Sequence, residues 1–201
     1  MQTNISRLLR SSLAIISLAS FVACNNASES ETSTTDSTMN TNMDSIANMG
    51  PAHAVATLTG TQADTTLSGS ADFMENAGQV TLNLTLDIPK MANKSVAVHI
   101  HEMGDCGDMG KGAHGHWNPT NMNHGKWGSS SFHSGDIGNV ALDASGKGTM
   151  QLTTDLWAIS SDSTKGIVGR SIIVHGGTDD YTSQPSGNAG SRIGCGVINK
   201  Q

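Results

Sequence analysis

Val80, Leu82, Leu84 and Leu86 alternate with polar residues across 79–86, the two-residue period of a strand with one buried face. Shorter apolar stretches bounded by turn residues predict further strands at 54–58, 66–73, 95–102, 132–142, from about 149, and at 167–175 and 191–198. Asp143-Ala144-Ser145-Gly146-Lys147-Gly148 is a hairpin turn signal between the fifth and sixth of these. Two stretches, 103–131 and 176–190, are glycine-rich and without period. Long ordered loops inside a compact domain usually carry function. Eight short strands, two long loops and no helical period predict an all-β, eight-stranded antiparallel sandwich or barrel.

The first residues read as a targeting segment. Arg7 and Arg10 precede a short apolar run, 13–22, too short to span a bilayer stably. The run ends in Phe21-Val22-Ala23-Cys24, similar to the lipobox of bacterial lipoproteins, in which the Cys is acylated. Phe21 stands where that motif usually has an aliphatic residue. Residues 1–23 are therefore expected to be a lipoprotein signal peptide, with Cys24 the lipidated residue. Residues 24–52 are rich in Ser, Thr, Asn and acid, and read as a disordered tether to a domain spanning 53–201. Met39, Met43, Met49 and His53 have Cu(I)-binding chemistry, but methionines scattered in a tether are the preferred reading.

The 201-residue chain suits one domain plus such extras, and its 23 glycines with few aromatic residues argue against a helical bundle. A net charge of −6 gives no case for nucleic acid, or for an anionic membrane bound by charge. Without Arg7 and Arg10, 9 of the 11 basic residues remain against 17 acidic ones. Cysteine usage agrees with export: if Cys24 carries lipid, Cys106 and Cys195 remain, and exported chains tend to pair them.

Histidines carry the chemistry. His99 and His101 end one strand as H-x-H, on one face and roughly 7 Å apart along it. His116, His124, His133 and Asp136 follow in the first long loop and beyond, and His175 ends another strand. These seven groups suffice for two metal ions sharing one ligand. Imidazole suits copper and zinc, and a carboxylate tilts a site toward zinc. His101-Glu102 does not open a zinc-protease helix, because position 105 is Asp.

Val98-His99-Ile100-His101-Glu102, Gly104-Asp105-Cys106, His116-Trp117-Asn118-Pro119, His124-Gly125, His133-Ser134-Gly135-Asp136-Ile137-Gly138-Asn139 and Val174-His175 together resemble copper,zinc superoxide dismutase. So does the tail from Gly187 to Ile198, with Arg192 and Cys195. The resemblance covers about 54–199. It implies a Greek-key connection of the strands and dismutation of superoxide anion by a copper beside a structural zinc. Copper would be held by His99, His101, His116 and His175, and zinc by His116, His124, His133 and Asp136. His116 would bridge the metals and act in catalysis with Arg192, the anion-guiding arginine. Asp179 would join His99 to His124 from behind, and Cys106–Cys195 would be the intrachain disulfide. The compact 176–190 segment is similar to bacterial members, which allows a homodimer and leaves open which lysines steer the substrate. With the leader, this implies a lipid-anchored protein of the bacterial cell envelope, touching membrane only through its anchor and guarding the envelope from oxidative damage. Met103 and Met109 are expected to pack, and His114 to be an exposed loop residue.

A metal store on the same fold would lose a copper ligand or Arg192, and a purely structural surface protein would let the ligands decay. Neither pattern is present.

Overall fold

The computed structural model describes residues 51–201 except residue 163. The expected signal peptide, Cys24 and the tether methionines fall at 1–50, outside the described residues.

Among the described residues the strands are β1 (Ala52–Gly60), β2 (Ser68–Asn76), β3 (Gln79–Asp87), β4 (Ser95–His101), β5 (Gly138–Ala141), β6 (Lys147–Thr154), β7 (Ser171–His175), β8 (Arg192–Val197) and the two-residue β9 (Asn199–Lys200). Helical structure there is confined to two short 3-10 turns, Pro89–Met91 and Lys111–Ala113. All pairings between strands are antiparallel, in the order β5-β4-β7-β8-β1-β2-β3-β6, with β9 added on β1. Strands β3 and β6, and β4 and β7, are neighbours without being consecutive, which is Greek-key connectivity. The ends of the path approach each other: a Cβ at Gly148 of β6 would meet the Ala141 carbonyl of β5 at 2.7 Å. The eight strands thus form a nearly closed barrel.

Alternation decides what fills it. Val80, Leu82, Leu84 and Leu86 are all buried, as their period predicts, and join Ala54, Ala56, Leu58, Phe73 and Trp157 in one core. Each large apolar side chain so buried stabilises the fold by roughly 1.5–3 kcal/mol. On β4, Val96, Val98 and Ile100 face this core; on β7, Ile172 and Val174 do so. The opposite faces of these strands carry His99, His101 and His175, yet they are buried too. The long loops close over them.

Three expectations are corrected. The fifth strand covers only Gly138–Ala141, because 132–137 turns around the histidine cluster, with Ile137 N–H bonding the Gly135 carbonyl. The seventh begins at Ser171, since the 167–170 segment turns through Gly169 at φ +82°. The 143–148 turn forms, with Asp143 N–H on the Lys147 carbonyl, but it joins the two ends of the sheet rather than a hydrogen-bonded hairpin.

Candidate metal centre

Strand periodicity places His99 and His101 side by side on the loop-covered face of β4, with ring centroids 6.4 Å apart. A single β-bridge between His101 and His116 brings the first long loop back to the strand end. On the other flank, β7 and β8 change register between Val174 and His175, so that His175 lies opposite Arg192. Such a bulge re-aims side chains at a strand end.

The seven groups converge in two clusters that share His116. One is His99, His101, His116 and His175; the other is His116, His124, His133 and Asp136. Within each, the potential ligand atoms lie within 4.8 Å of one another, and every member is buried.

Hydrogen bonds behind the rings decide which nitrogen faces inward. A carbonyl can only accept, so His101 Nδ1–H donates to the His114 carbonyl (2.9 Å) and His175 Nδ1–H to that of Gly190 (3.3 Å). Their Nε2 lone pairs are left facing each other at 3.4 Å. His99 Nε2–H and His124 Nε2–H both donate to Asp179, each at 2.9 Å, leaving both Nδ1 atoms inward. His116 Nδ1 lies 2.8 Å from Asp136 Oδ1, which leaves its buried Nε2 without a partner and free for the all-histidine cluster. Asp136 is aimed by backbone N–H groups of His133 (2.8 Å) and Gly125 (3.1 Å).

His99 Nδ1, His116 Nε2, His124 Nδ1 and His133 Nδ1 are buried without a hydrogen-bond partner. His124 Nδ1 stands 3.0 Å from Asp136 Oδ2, close enough for an ion pair but without hydrogen-bond geometry. A buried unsatisfied group costs about 1–3 kcal/mol. Four of them converging on two points are satisfied together by two cations. The donor sets fit copper and zinc: four imidazole nitrogens on one side, three imidazoles and a carboxylate on the other.

Electrostatics favour metal binding at His101, His116 and His175. Burial, with a smaller effect from nearby histidines, holds His116 down at about 4 and His175 at about 3, and lowers His101 as well. Neutral rings keep their lone pairs. Burial also opposes charge on His124, but the carboxylates of Asp136 and Asp179 outweigh it and raise this ring to about 9. Burial works against ionisation of Asp136 and Asp179, yet their histidine partners hold both well below the usual carboxylate range.

A cleft of about 770 Å³ opens onto His101, His116, His133 and His175. Arg192 lines it, its guanidinium donating to the carbonyls of Gly110 and His114. Asp108, Met109 and Gly110, at φ +46°, +54° and +81°, form the left-handed turn that presents the first of these. The Cys106–Cys195 disulfide, with Cα atoms 5.7 Å apart, ties this loop to the strand carrying Arg192. Lys111 also lines the cleft, opposite in sign to Glu102. His114 is exposed and outside both clusters, contributing its carbonyl rather than its ring. Met103 and Met109 do not pack as expected: they are 49 % and 50 % exposed.

The sequence reading missed three contributors. Asn139 holds the Asp179 backbone, accepting from its N–H at 2.8 Å and donating to its carbonyl at 2.9 Å. Gln184 does the same for His124. Gly187 lies so close that a Cβ there would overlap Asp179 Oδ1 and come within 2.6 Å of His124 Nε2. Amides lack a ligand signature, and only the close approach marks the glycine.

The comparisons with known proteins agree. The sequence profile of copper/zinc superoxide dismutase (SODC) matches residues 67–198. Superoxide dismutase [Cu-Zn] 1 of Aquifex aeolicus is 34 % identical over 135 residues, 65 % of this chain and 79 % of that protein. Superoxide dismutase [Cu-Zn] of Yarrowia lipolytica is 37 % identical over 152 residues, 72 % of this chain and 96 % of that protein. Among solved structures, the clock protein EA4 superposes with a TM-score of 0.64 at 30 % identity, covering 76 % of this chain and 96 % of that one. This chain therefore belongs to the copper/zinc superoxide dismutase family, and it is a superoxide dismutase whose metals are copper and zinc.

Proposed function

We propose that copper is held by His99, His101, His116 and His175, that zinc is held by His116, His124, His133 and Asp136, and that His116 joins the two. The observation that carries this is the pair of buried clusters sharing one imidazole, whose Nδ1 meets Asp136 while its Nε2 is buried without a partner. When bound, copper supplies a one-electron couple that zinc lacks. The overall reaction converts two superoxide anions and two protons into dioxygen and hydrogen peroxide.

The protein residues divide the remaining work. Arg192 places a fixed positive charge in the cleft that draws in and orients a small anion. Its field contributes to lowering His101 and His175, a sign of its nearness to the all-histidine cluster. His116 Nε2 is the atom suited to hold and pass on a proton. Burial keeps that ring weakly basic, at about 4, so a proton placed there is readily given to the peroxide being formed. Asp179 keeps His99 and His124 aimed throughout.

The same proposal places the enzyme at the bacterial cell envelope, exported by residues 1–23 and anchored through lipid on Cys24, where it removes superoxide before it harms envelope components. The short apolar leader, the Cys after small residues and a disulfide suited to an oxidising compartment support this. A homodimer is compatible with the reading, and sedimentation of the folded domain decides it.

Pulse radiolysis of the protein loaded with copper and zinc tests the reaction. Fast superoxide decay that disappears on removal of copper, with zinc retained, is expected. No decay with both metals bound would instead mean a metal store. Labelling with radioactive palmitate tests the anchor: the wild-type chain should take up label and Cys24→Ser should not.

A further inference from the structure

Gln184 lies in the 176–190 loop, lines the cleft, and belongs to neither ligand cluster. Its side-chain amide nevertheless engages both backbone polar groups of His124, 60 residues away. His124 N–H donates to Gln184 Oε1 at 2.9 Å, and Gln184 Nε2–H donates to the His124 carbonyl at 3.0 Å. Nε2 also lies 3.3 Å from the Thr182 carbonyl, which orients the amide within its own loop. The side chain thus takes the place that a neighbouring strand would take beside His124.

The surroundings make this clamp matter. Among the described residues, 123–125 find no main-chain to main-chain hydrogen bond. The Asn123 carbonyl accepts from Ser131 Oγ, Gly125 N–H donates to Asp136, and His124 itself has Gln184. The His124 ring is held separately, by Asp179 at Nε2. One loop therefore grips this residue at its N–H, its carbonyl and its far ring nitrogen. The remaining ring nitrogen, Nδ1, is left 3.0 Å from Asp136 Oδ2. Gly187 brings the loop backbone against the Asp179–His124 contact, where a Cβ would overlap the carboxylate.

We propose that Gln184 is a positioning residue for the zinc-side cluster: by clamping the His124 backbone it sets where His124 Nδ1 points, and so sets the affinity for zinc. Ligand distances must be met to within about 0.2 Å, and a ring anchored only at Nε2 pivots about that atom. The all-histidine cluster is touched only indirectly, through the shared His116 and through the Asp179 bond to His99. Strand pairing holds the backbones of His99 and His101 on β4 and of His175 on β7. Loss of Gln184 therefore weakens zinc more than copper.

The inference rests on the zinc assignment made above, and the experiment separates the two. The metal-free full chain is titrated with zinc and, separately, copper against a chromophoric chelator, and with Co(II) as a spectroscopic probe of the zinc position. Gln184→Ala should bind zinc about 10-fold more weakly, with altered Co(II) visible bands and a much smaller change in copper affinity. Gln184→Glu keeps the size and the Oε acceptor but turns a carboxylate toward the His124 carbonyl. It should also weaken zinc, which controls for a folding defect caused by truncation. Unchanged zinc affinity and Co(II) bands in both variants would overturn the proposal. So would equal loss of copper and zinc, the mark of a purely structural residue. His124→Ala is the control for the assignment. If it leaves zinc affinity intact, the zinc assignment fails and the inference falls with it. If it abolishes zinc binding while the Gln184 variants keep theirs, only the inference fails.

Discussion

His124 and Asp179, 55 residues apart in the chain, meet in a buried 2.9 Å hydrogen bond that links one metal loop to the other. The second oxygen of the same carboxylate takes His99 at 2.9 Å. One side chain thus orients one imidazole of each cluster. Asp179→Asn leaves a single acceptor oxygen and removes the charge. Affinity for both metals should fall roughly 10–100-fold, as read by competition with a chromophoric chelator. Retention of wild-type affinity for both would refute the coupling.

Arg192 is braced by two carbonyls and contributes to neither ligand cluster. Arg192→Ala should therefore lower kcat/KM for superoxide about 10-fold or more while copper and zinc contents stay at wild-type levels. Parallel loss of metal, measured by elemental analysis, would make Arg192 a structural brace instead.

Lys111 is exposed at the rim of the same cleft, with only a loose 3.9 Å contact to Asp108. In a chain with a net negative charge, this lysine adds to the local positive field at the entrance. Lys111→Glu should slow superoxide decay at low ionic strength and flatten its dependence on salt, since a screened field has less to lose. A salt profile identical to wild type would show that steering comes from elsewhere.

The Cys106–Cys195 disulfide closes a loop across 89 positions. Chain entropy gives such a link about 4–5 kcal/mol of stability as an upper value. Chemical denaturation of the metal-free Cys106→Ala/Cys195→Ala double variant should show a loss approaching that size. Because the Cys106 loop also carries the carbonyls that brace Arg192, activity should drop in the metal-loaded variant as well.

Opposed histidine shifts predict a maximum in the stability of the metal-free protein near pH 6.5. His116 and His175 are held at about 4 and about 3, below the ordinary 6.5, so below pH 6.5 the unfolded chain takes up protons that the folded one refuses. Stability falls as pH falls through that range. His124 is raised to about 9; its contribution is complete below pH 6.5 and is lost as pH rises toward 9. Melting temperatures of the metal-free protein between pH 4 and 9 should trace this dome. A monotonic rise through pH 9 would contradict the charge state given to His124.

Much of this was legible in the residues themselves. Apolar alternation is local, so Val80 to Leu86 reveals a strand whatever it packs against, and most strands lie where the pattern puts them. Residue chemistry is local as well: the seven groups that the fold gathers are recognisable as histidines and an aspartate at strand ends and in one long loop. Spacing does not say which nitrogen of a ring faces inward. That depends on what stands behind it: Asp179 for His99 and His124, and the carbonyls of His114 and Gly190 for His101 and His175. Nor does apolar pattern show that 132–137 leaves the sheet, because a cluster of buried ligands outweighs strand propensity there. The clamps of Gln184 and Asn139 and the close approach of Gly187 join segments distant in the chain through backbone groups that every residue possesses. The strands and the chemistry of the metal groups are thus written into single residues and their near neighbours. Their orientation is not, because hydrogen bonds between remote segments exist only once the loops have closed over the barrel.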